Sequence, residues 1–536
     1  MAAMGAATRG WCQDSTNAPA ASNAKDPLVD LLIQKGILTQ DEAGRVEAEA
    51  QSIRTNQMQM PPSVWKISQP IKSIELFGDI RMRYEDRSAR DSGGNSIDLQ
   101  RFRYSLRFGL RGEMFDQFYY GFRMDTGPNA RSPWVTFGTA TASSSSIYPG
   151  PFGKSTGGLF VGEVYIGWHP ADWLDVTVGK MPNPLFTSSM VWSPNINPEG
   201  FAERFKYDVG PAQFFANFGQ FLYQDFNPNS ASGGLGIGGL NGQQTDNIFM
   251  LAWQGGLDYK ITPSLDAKIA ATIYNYIGLH QSFGASPTSD SPYFGDPYIG
   301  EGAFDLLGGP PVAPGNSGFG TPSTLPGYGS VNYPLNQVGL NNLEVIEIPF
   351  DVRYKIPHWK LESHLFGDFS YNLAGEQRAE AAAAAYQTVA QFYRNSGLSV
   401  PLPHLTSAQT SDVKAYQIGV GIGSDDIDYG TTQGLVYGTS SPRHSWEVRT
   451  YWQHIEQYSL DPNLLDWDFF NGLENLQGVY VAASYAFTGN VIGTFRYGHA
   501  SRINDSLGTG GSSGDIPQIN PVNTYDIYQM DLTVRF

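Results

Sequence analysis

The residues with most chemistry to offer are arginines repeated at even spacings. Arg81 and Arg83 are two apart, as are Arg101 and Arg103, and Arg107 and Arg111 keep the same parity; Arg123 follows in the next segment. A guanidinium stays charged at any working pH and donates through a planar fork, so such a row suits anions and polar solutes. A second group is acidic: Glu347, Asp351, Glu362 and Asp368, diluted by Arg353 and Lys360. No catalytic set accompanies them. His364, His454 and His499 stand singly, and a serine-histidine-carboxylate hydrolase would need partners that converge in space. The sole cysteine, Cys12, excludes an intramolecular disulfide and cysteine-built metal clusters. The reading therefore contains no catalytic residue, no metal and no cofactor.

The elements that position these charges are strands. In 101–111, Phe102, Tyr104, Leu106, Phe108 and Leu110 alternate with Arg101, Arg103, Ser105, Arg107, Gly109 and Arg111. Side chains alternate faces along a strand, so one wall is apolar and the other basic. A helix would scatter the arginines all round. The same parity runs through 74–84 and 118–125. Further strands are expected at 159–169, 174–181, 201–209, 212–222, 246–260, 265–277, 343–355, 359–371, 413–424, 444–457, 476–487, 491–500 and 524–536. Tight turns, such as Gly210-Pro211 and Thr488-Gly489-Asn490, alternate with long segments rich in Gly, Ser, Asn and Pro. Segment 425–443 is the exception, being long where a short turn is due. The fold class is all-β: a transmembrane antiparallel β-barrel of about sixteen strands, with short periplasmic turns and long extracellular loops. Loop 182–200 is expected to fold partly into the lumen. An alanine run at 381–385 predicts a helix in loop 372–412. On such a barrel the two charged groups lie on roughly opposite walls and set up a transverse field.

Composition agrees. Aromatics are 13 % of residues, glycines number 61, and charged residues are only 16 %. Mean hydropathy is −0.29, and no stretch approaches the ~18 apolar residues of a spanning helix. The net charge of −17 argues against a nucleic-acid partner. Three regions follow: a disordered N-terminus over 1–25, a periplasmic helical segment over 26–60 with a capping box at Thr39-Gln40-Asp41-Glu42, and the barrel over 73–536. Met1 to Gly10 lacks the apolar core of a signal peptide, so a longer precursor is expected.

Three stretches carry a family resemblance. They are Leu32-Ile33-Gln34-Lys35-Gly36-Ile37-Leu38-Thr39, Phe77-Gly78-Asp79-Ile80-Arg81-Met82-Arg83-Tyr84 and Arg101-Phe102-Arg103-Tyr104-Ser105-Leu106-Arg107. With Gly179-Lys180-Met181-Pro182-Asn183-Pro184 and Asn197-Pro198-Glu199-Gly200, the chain from Asp26 onward resembles the "putative porin" family of Gram-negative outer membranes. The long insert 278–342 and the alanine-rich loop depart from the family pattern. The resemblance implies a single-chain porin passing small hydrophilic solutes and ions by passive diffusion. Its surroundings would be outer-membrane lipid, with a homotrimer permitted by the apolar bands. The arginine row and the acidic group would then line the pore. The alternative is a structural barrel sheathing a partner such as a cytochrome. The closing strand ends on Phe536, which resembles the signal read by the outer-membrane assembly machinery.

Overall fold

A computed structural model describes residues 70–90, 96–127, 132–138, 158–224, 248–277, 343–379, 411–425, 442–505 and 522–536, with single positions 35, 39, 94 and 509. The N-terminal regions, the insert 278–342, nearly all of 425–443 and most of the alanine-rich loop lie outside the described residues.

Alternating apolar and polar residues form seventeen strands: β1 (Glu75–Arg90), β2 (Ser96–Glu113), β3 (Phe118–Gly127), β4 (Val135–Thr136), β5 (Gly158–Ala171), β6 (Leu174–Lys180), β7 (Glu199–Val209), β8 (Ala212–Gln224), β9 (Ile248–Thr262), β10 (Leu265–Ile277), β11 (Glu344–Ile356), β12 (Leu361–Asn372), β13 (Lys414–Ser424), β14 (Trp446–Ile455), β15 (Leu476–Ala486), β16 (Val491–Arg502) and β17 (Thr524–Arg535). Sixteen of them run antiparallel, each beside its neighbours in sequence, and β1 pairs with β17 to close the cylinder. The two-residue β4 adds to β2 beyond the end of β3. Closure leaves no unpaired edge, which is what a sheet in lipid requires. The expected antiparallel barrel of about sixteen strands is thus the fold.

Register sends each parity to one side. On β1 and β2, Leu76, Ile80, Met82, Phe102, Phe108 and Leu110 are exposed outward, while Arg83, Glu85, Arg87, Arg103 and Arg107 are buried inside. Exposed aromatics gather where the short turns lie, among them Phe115, Trp173, Tyr207, Trp359 and Phe536. Such rings favour a membrane–water boundary. The alanine-rich loop begins as a short helical piece at 375–379.

Among the described residues, two connections cross the barrel interior instead of lying over the rim. The first is 181–198, between β6 and β7. Its roots are Gly179 and Gly200, which face each other in the register. Both have positive φ (122° and 150°), and a Cβ on either would lie 2.3 or 2.2 Å from a neighbouring carbonyl oxygen. Only glycine lets the chain leave the wall there. Lys180 reaches across the root to Glu199 (2.6 Å), and the Met181 amide donates to the Pro198 carbonyl (2.9 Å). The family-like runs at 179–184 and 197–200 are therefore the two sides of this root. The second inward segment is 456–475, between β14 and β15. Leu460, Leu464, Leu465, Phe469, Phe470 and Leu473 from it join Met190, Val191 and Trp192 of the first in one buried apolar cluster inside the barrel.

Candidate functional site

The inward charges of the first strands form a linked network. Glu85 is its centre. It accepts from Arg101 (2.7 Å), Arg87 (3.0 Å) and Gln529 (2.8 Å), and Arg103 lies 3.6 Å away. Arg83 donates to Asp531 on β17 (2.7 Å) and to Asp468 on the second insert (2.6 Å), with its guanidinium 3.9 Å from the centre of the Trp134 ring. Arg87 also donates to Asn471 and the Tyr525 hydroxyl, both at 2.8 Å. Arg81 pairs with Asp79 (2.5 Å). Arg107 donates to Asn195 of the first insert (2.5 Å), and Arg123 holds Asp125 (2.7 Å) and Glu163. Arg111 lies apart. It is half exposed at the short-turn rim, paired with Glu75 at 2.7 Å.

The acidic group is also covered. Glu347 accepts from the hydroxyls of Thr187 and Tyr274 (both 2.5 Å), and Asp368 accepts from the Ser188 hydroxyl. Thr187 and Ser188 belong to the first insert, so that insert crosses the lumen and caps these two carboxylates. Asp351 and Glu362 flank His364, at 3.3 and 3.1 Å from its two ring nitrogens. Asp351 also lies 3.9 Å from Arg353, which pairs with Asp266 at 2.7 Å.

Two readings of the sequence change. First, no bare basic wall faces a bare acidic wall. Carboxylates of β1, β3, β5, β17 and the second insert neutralise the arginines locally, because antiparallel pairing sets Glu85 opposite Arg101 and Asp79 opposite Arg107. The two inserts stand between the walls. Second, His364 is not isolated; cross-strand pairing of β11 with β12 brings Asp351 beside it. His454 likewise lies beside Gln477 (3.1 Å), and His499 beside Asp526 (2.8 Å).

The residues that sequence reasoning missed are those of 456–475. Asp461 accepts from the Tyr276 hydroxyl on β10 (2.7 Å), and the Trp467 carbonyl accepts from Arg87 (3.2 Å). This insert therefore spans from β14 to β1. It meets the first insert where the Ser193 amide donates to the Leu464 carbonyl (2.7 Å) and the Ser193 hydroxyl donates to Asp466 (3.1 Å). Its apolar density was the available signal: an extracellular loop has no use for Leu460, Leu464, Leu465, Trp467, Phe469, Phe470 and Leu473 within fourteen positions.

Asp466 and Asp468 of the second insert titrate in opposite directions. Burial, reinforced by the neighbouring Asp468 charge, pushes Asp466 up to about 7. Burial acts against ionised Asp468 too, but the guanidiniums of Arg83 and Arg496 outweigh it and hold that carboxyl well below the usual range. An acid whose pKa is raised by docking docks best while neutral. Insert seating should therefore weaken as pH climbs from the ordinary value of 3.8 toward 7 and then level off. Hydrogen exchange, corrected for its intrinsic pH dependence, is expected to show falling protection over 460–472 in that window. Asp466→Asn should flatten the profile, and a parent profile already flat would contradict this.

Below the first insert, toward the short turns, lies a cavity of about 580 Å³. Its wall includes Arg123, Glu163, His169, Asp175, Asn183, Phe186, Arg204, Phe215, Asn217 and Lys268. Arg204 and His169 both pair with Asp175, at 2.7 and 2.6 Å.

Comparison with curated proteins finds no match. Among solved structures, Salmonella typhi OmpF in complex with daunomycin is similar at 8 % identity and a TM-score of 0.39, over 88 % of this chain and 99 % of that one. An anion-selective porin from Comamonas acidovorans is similar at 8 % identity and a TM-score of 0.38, over 87 % of this chain and 99 % of that one. Residues 93–536 match the family model described as "Putative porin", and with that match covering most of a closed sixteen-strand barrel, the chain belongs to this porin family.

Proposed function

We propose that the barrel sits in the outer membrane, short turns toward the periplasm, and passes small hydrophilic solutes and ions by passive diffusion without a catalytic step. One observation carries the reading: the closed cylinder buries Arg83, Glu85, Arg87, Glu347 and Asp368 inside and exposes Leu76, Ile80, Met82 and Phe102 outside. A charged interior holds water and polar solutes, and an apolar exterior holds lipid. The arginine row (Arg81, Arg83, Arg101, Arg103, Arg107 and Arg123, with Arg111 at the mouth) and the carboxylates paired with it give that wall a polar, nearly neutral lining. Glu347, Asp351, Glu362 and Asp368 serve the opposite wall. A sheath for a folded partner such as a cytochrome fits less well, because two of the chain's own segments occupy the lumen. Liposome swelling tests the reading. Proteoliposomes should swell in small sugars at rates that fall with sugar size; no swelling in the smallest would refute it.

The exposed apolar faces suit a homotrimer in that membrane, and Phe536 suits recognition by the assembly machinery. Phe536 also completes the seam. It exchanges backbone hydrogen bonds with Gly78 (3.0 and 3.1 Å), and its ring lies where a Cβ on residue 78 would be, 2.5 Å from that position. Gly78→Val is therefore expected to lower the yield of heat-modifiable, closed barrel in reconstituted assembly. A yield equal to the parent's would contradict the seam's role.

A further inference from the structure

We infer that the cavity beneath the first insert is a binding site for a small organic monocarboxylate with an apolar or aromatic body, its anionic head held by Lys268. This deepens the reading of the barrel as a solute channel. Among the described residues of the cavity wall, one cation is both shielded from bulk water and without an ion pair. Arg123 is taken by Asp125 and Glu163, and Arg204 and His169 by Asp175. Lys206 is exposed to bulk water. Lys268 differs from these. It points inward from β10, and among the described residues its ammonium contacts rings only: Phe186 of the insert at 4.5 Å and Phe215 of β8 at 5.1 Å from their centres.

The carboxylates beside Lys268 in the register, Asp258 on β9 and Asp351 on β11, make no ion pair with it. Asp351 is turned to His364 and Arg353 instead. Three ammonium donors thus face the cavity with no hydrogen-bond acceptor among the described residues, beside two phenyl faces. An ammonium over aromatic faces is held by their π-electrons but has few hydrogen-bond partners, a setting in which an arriving carboxylate gains most. The rings would then pack against the ligand's own apolar body. A volume of about 580 Å³ accommodates such a molecule. The cavity lies on the short-turn side of the insert, so a carboxylate that has crossed the lumen would pause there before release.

The test uses the full-length barrel, folded in detergent, and calorimetric titration with benzoate, benzyl alcohol and benzylamine. Benzoate is expected to bind saturably and the other two not. Lys268→Met should weaken benzoate binding by at least about tenfold, and Lys268→Arg should retain it. Lys268→Gln carries the expectation of the methionine variant should that one fail to fold. No saturable benzoate binding to the parent, equal binding of benzylamine, or unchanged affinity in the methionine or glutamine variant would overturn the site. Binding is read without flux, so a barrel that conducts but binds no benzoate removes the site and leaves the channel. One that binds but does not conduct removes the channel and leaves the site.

Discussion

Replacing Arg83 with methionine is expected to release the 456–475 insert and to destabilise the barrel by about 3–5 kcal/mol. Arg83 is fully buried and ties three elements together: its own strand β1, Asp531 on the closing strand, and Asp468 on the insert. Removing the guanidinium leaves buried Asp531 with Arg496 alone, and leaves the largely covered Asp468 with the more diffuse fields of Arg496 and Arg87. A buried ion pair adds little over a well-packed apolar pair, but breaking one side strands the other charge. The lowest-cost relief is for Asp468 to move toward water, taking the insert with it. Two readouts follow. The urea midpoint of the heat-modifiable barrel should fall, and single-channel steps should become larger and noisier. A parent-like midpoint with parent-like steps would show that Asp468 does not anchor the insert.

Excising residues 183–196 and closing the gap with a short glycine-serine link should raise conductance several-fold and shift selectivity toward cations. The first effect is geometric. The segment crosses from the β6–β7 root to β11 and β12, where Thr187 and Ser188 bond Glu347 and Asp368, and Trp192 packs edge-on to Phe221. Its removal clears that span. The second effect is electrostatic. Glu347 loses Thr187 but keeps the Tyr274 hydroxyl, Asp368 loses Ser188, and both carboxylates gain water, while Arg107 loses Asn195 but keeps Asp125. Net gain on the wall is negative, and a ring of carboxylates favours cations. Reversal potentials in a potassium chloride gradient measure this. A larger pore with unchanged selectivity would mean that the capped acids are too far from the ion path to matter. An unchanged conductance would mean that the first insert is not the constriction.

Much of this molecule is legible in its sequence, for a physical reason. A strand with lipid on one side and water on the other must alternate, so 101–111 announces both its structure and its orientation. The roots of the first insert were visible as well, since Gly179 and Gly200 flank a proline-rich run too long for a turn. The partners of the charges were not. Whether Glu85 meets Arg101 or Arg103 depends on the β1–β2 register, which alternation leaves open by steps of two. The same limit hid Asp351 from His364. The second insert escaped because its apolar residues follow neither period, packing as an irregular plug against Tyr451 and Tyr480. Lys268 gave no sign at all. On its strand it is one lysine among inward residues, and only the fold brings Phe186 and Phe215 to it.

The most direct measurement is conductance of the purified, folded barrel in a planar bilayer. Discrete steps of uniform size, made smaller by Glu347→Arg as a bulky cation intrudes beneath the first insert, are expected of a narrow aqueous path through the lumen. A barrel proven closed by heat-modifiable migration that gives no steps in any salt would contradict the channel itself.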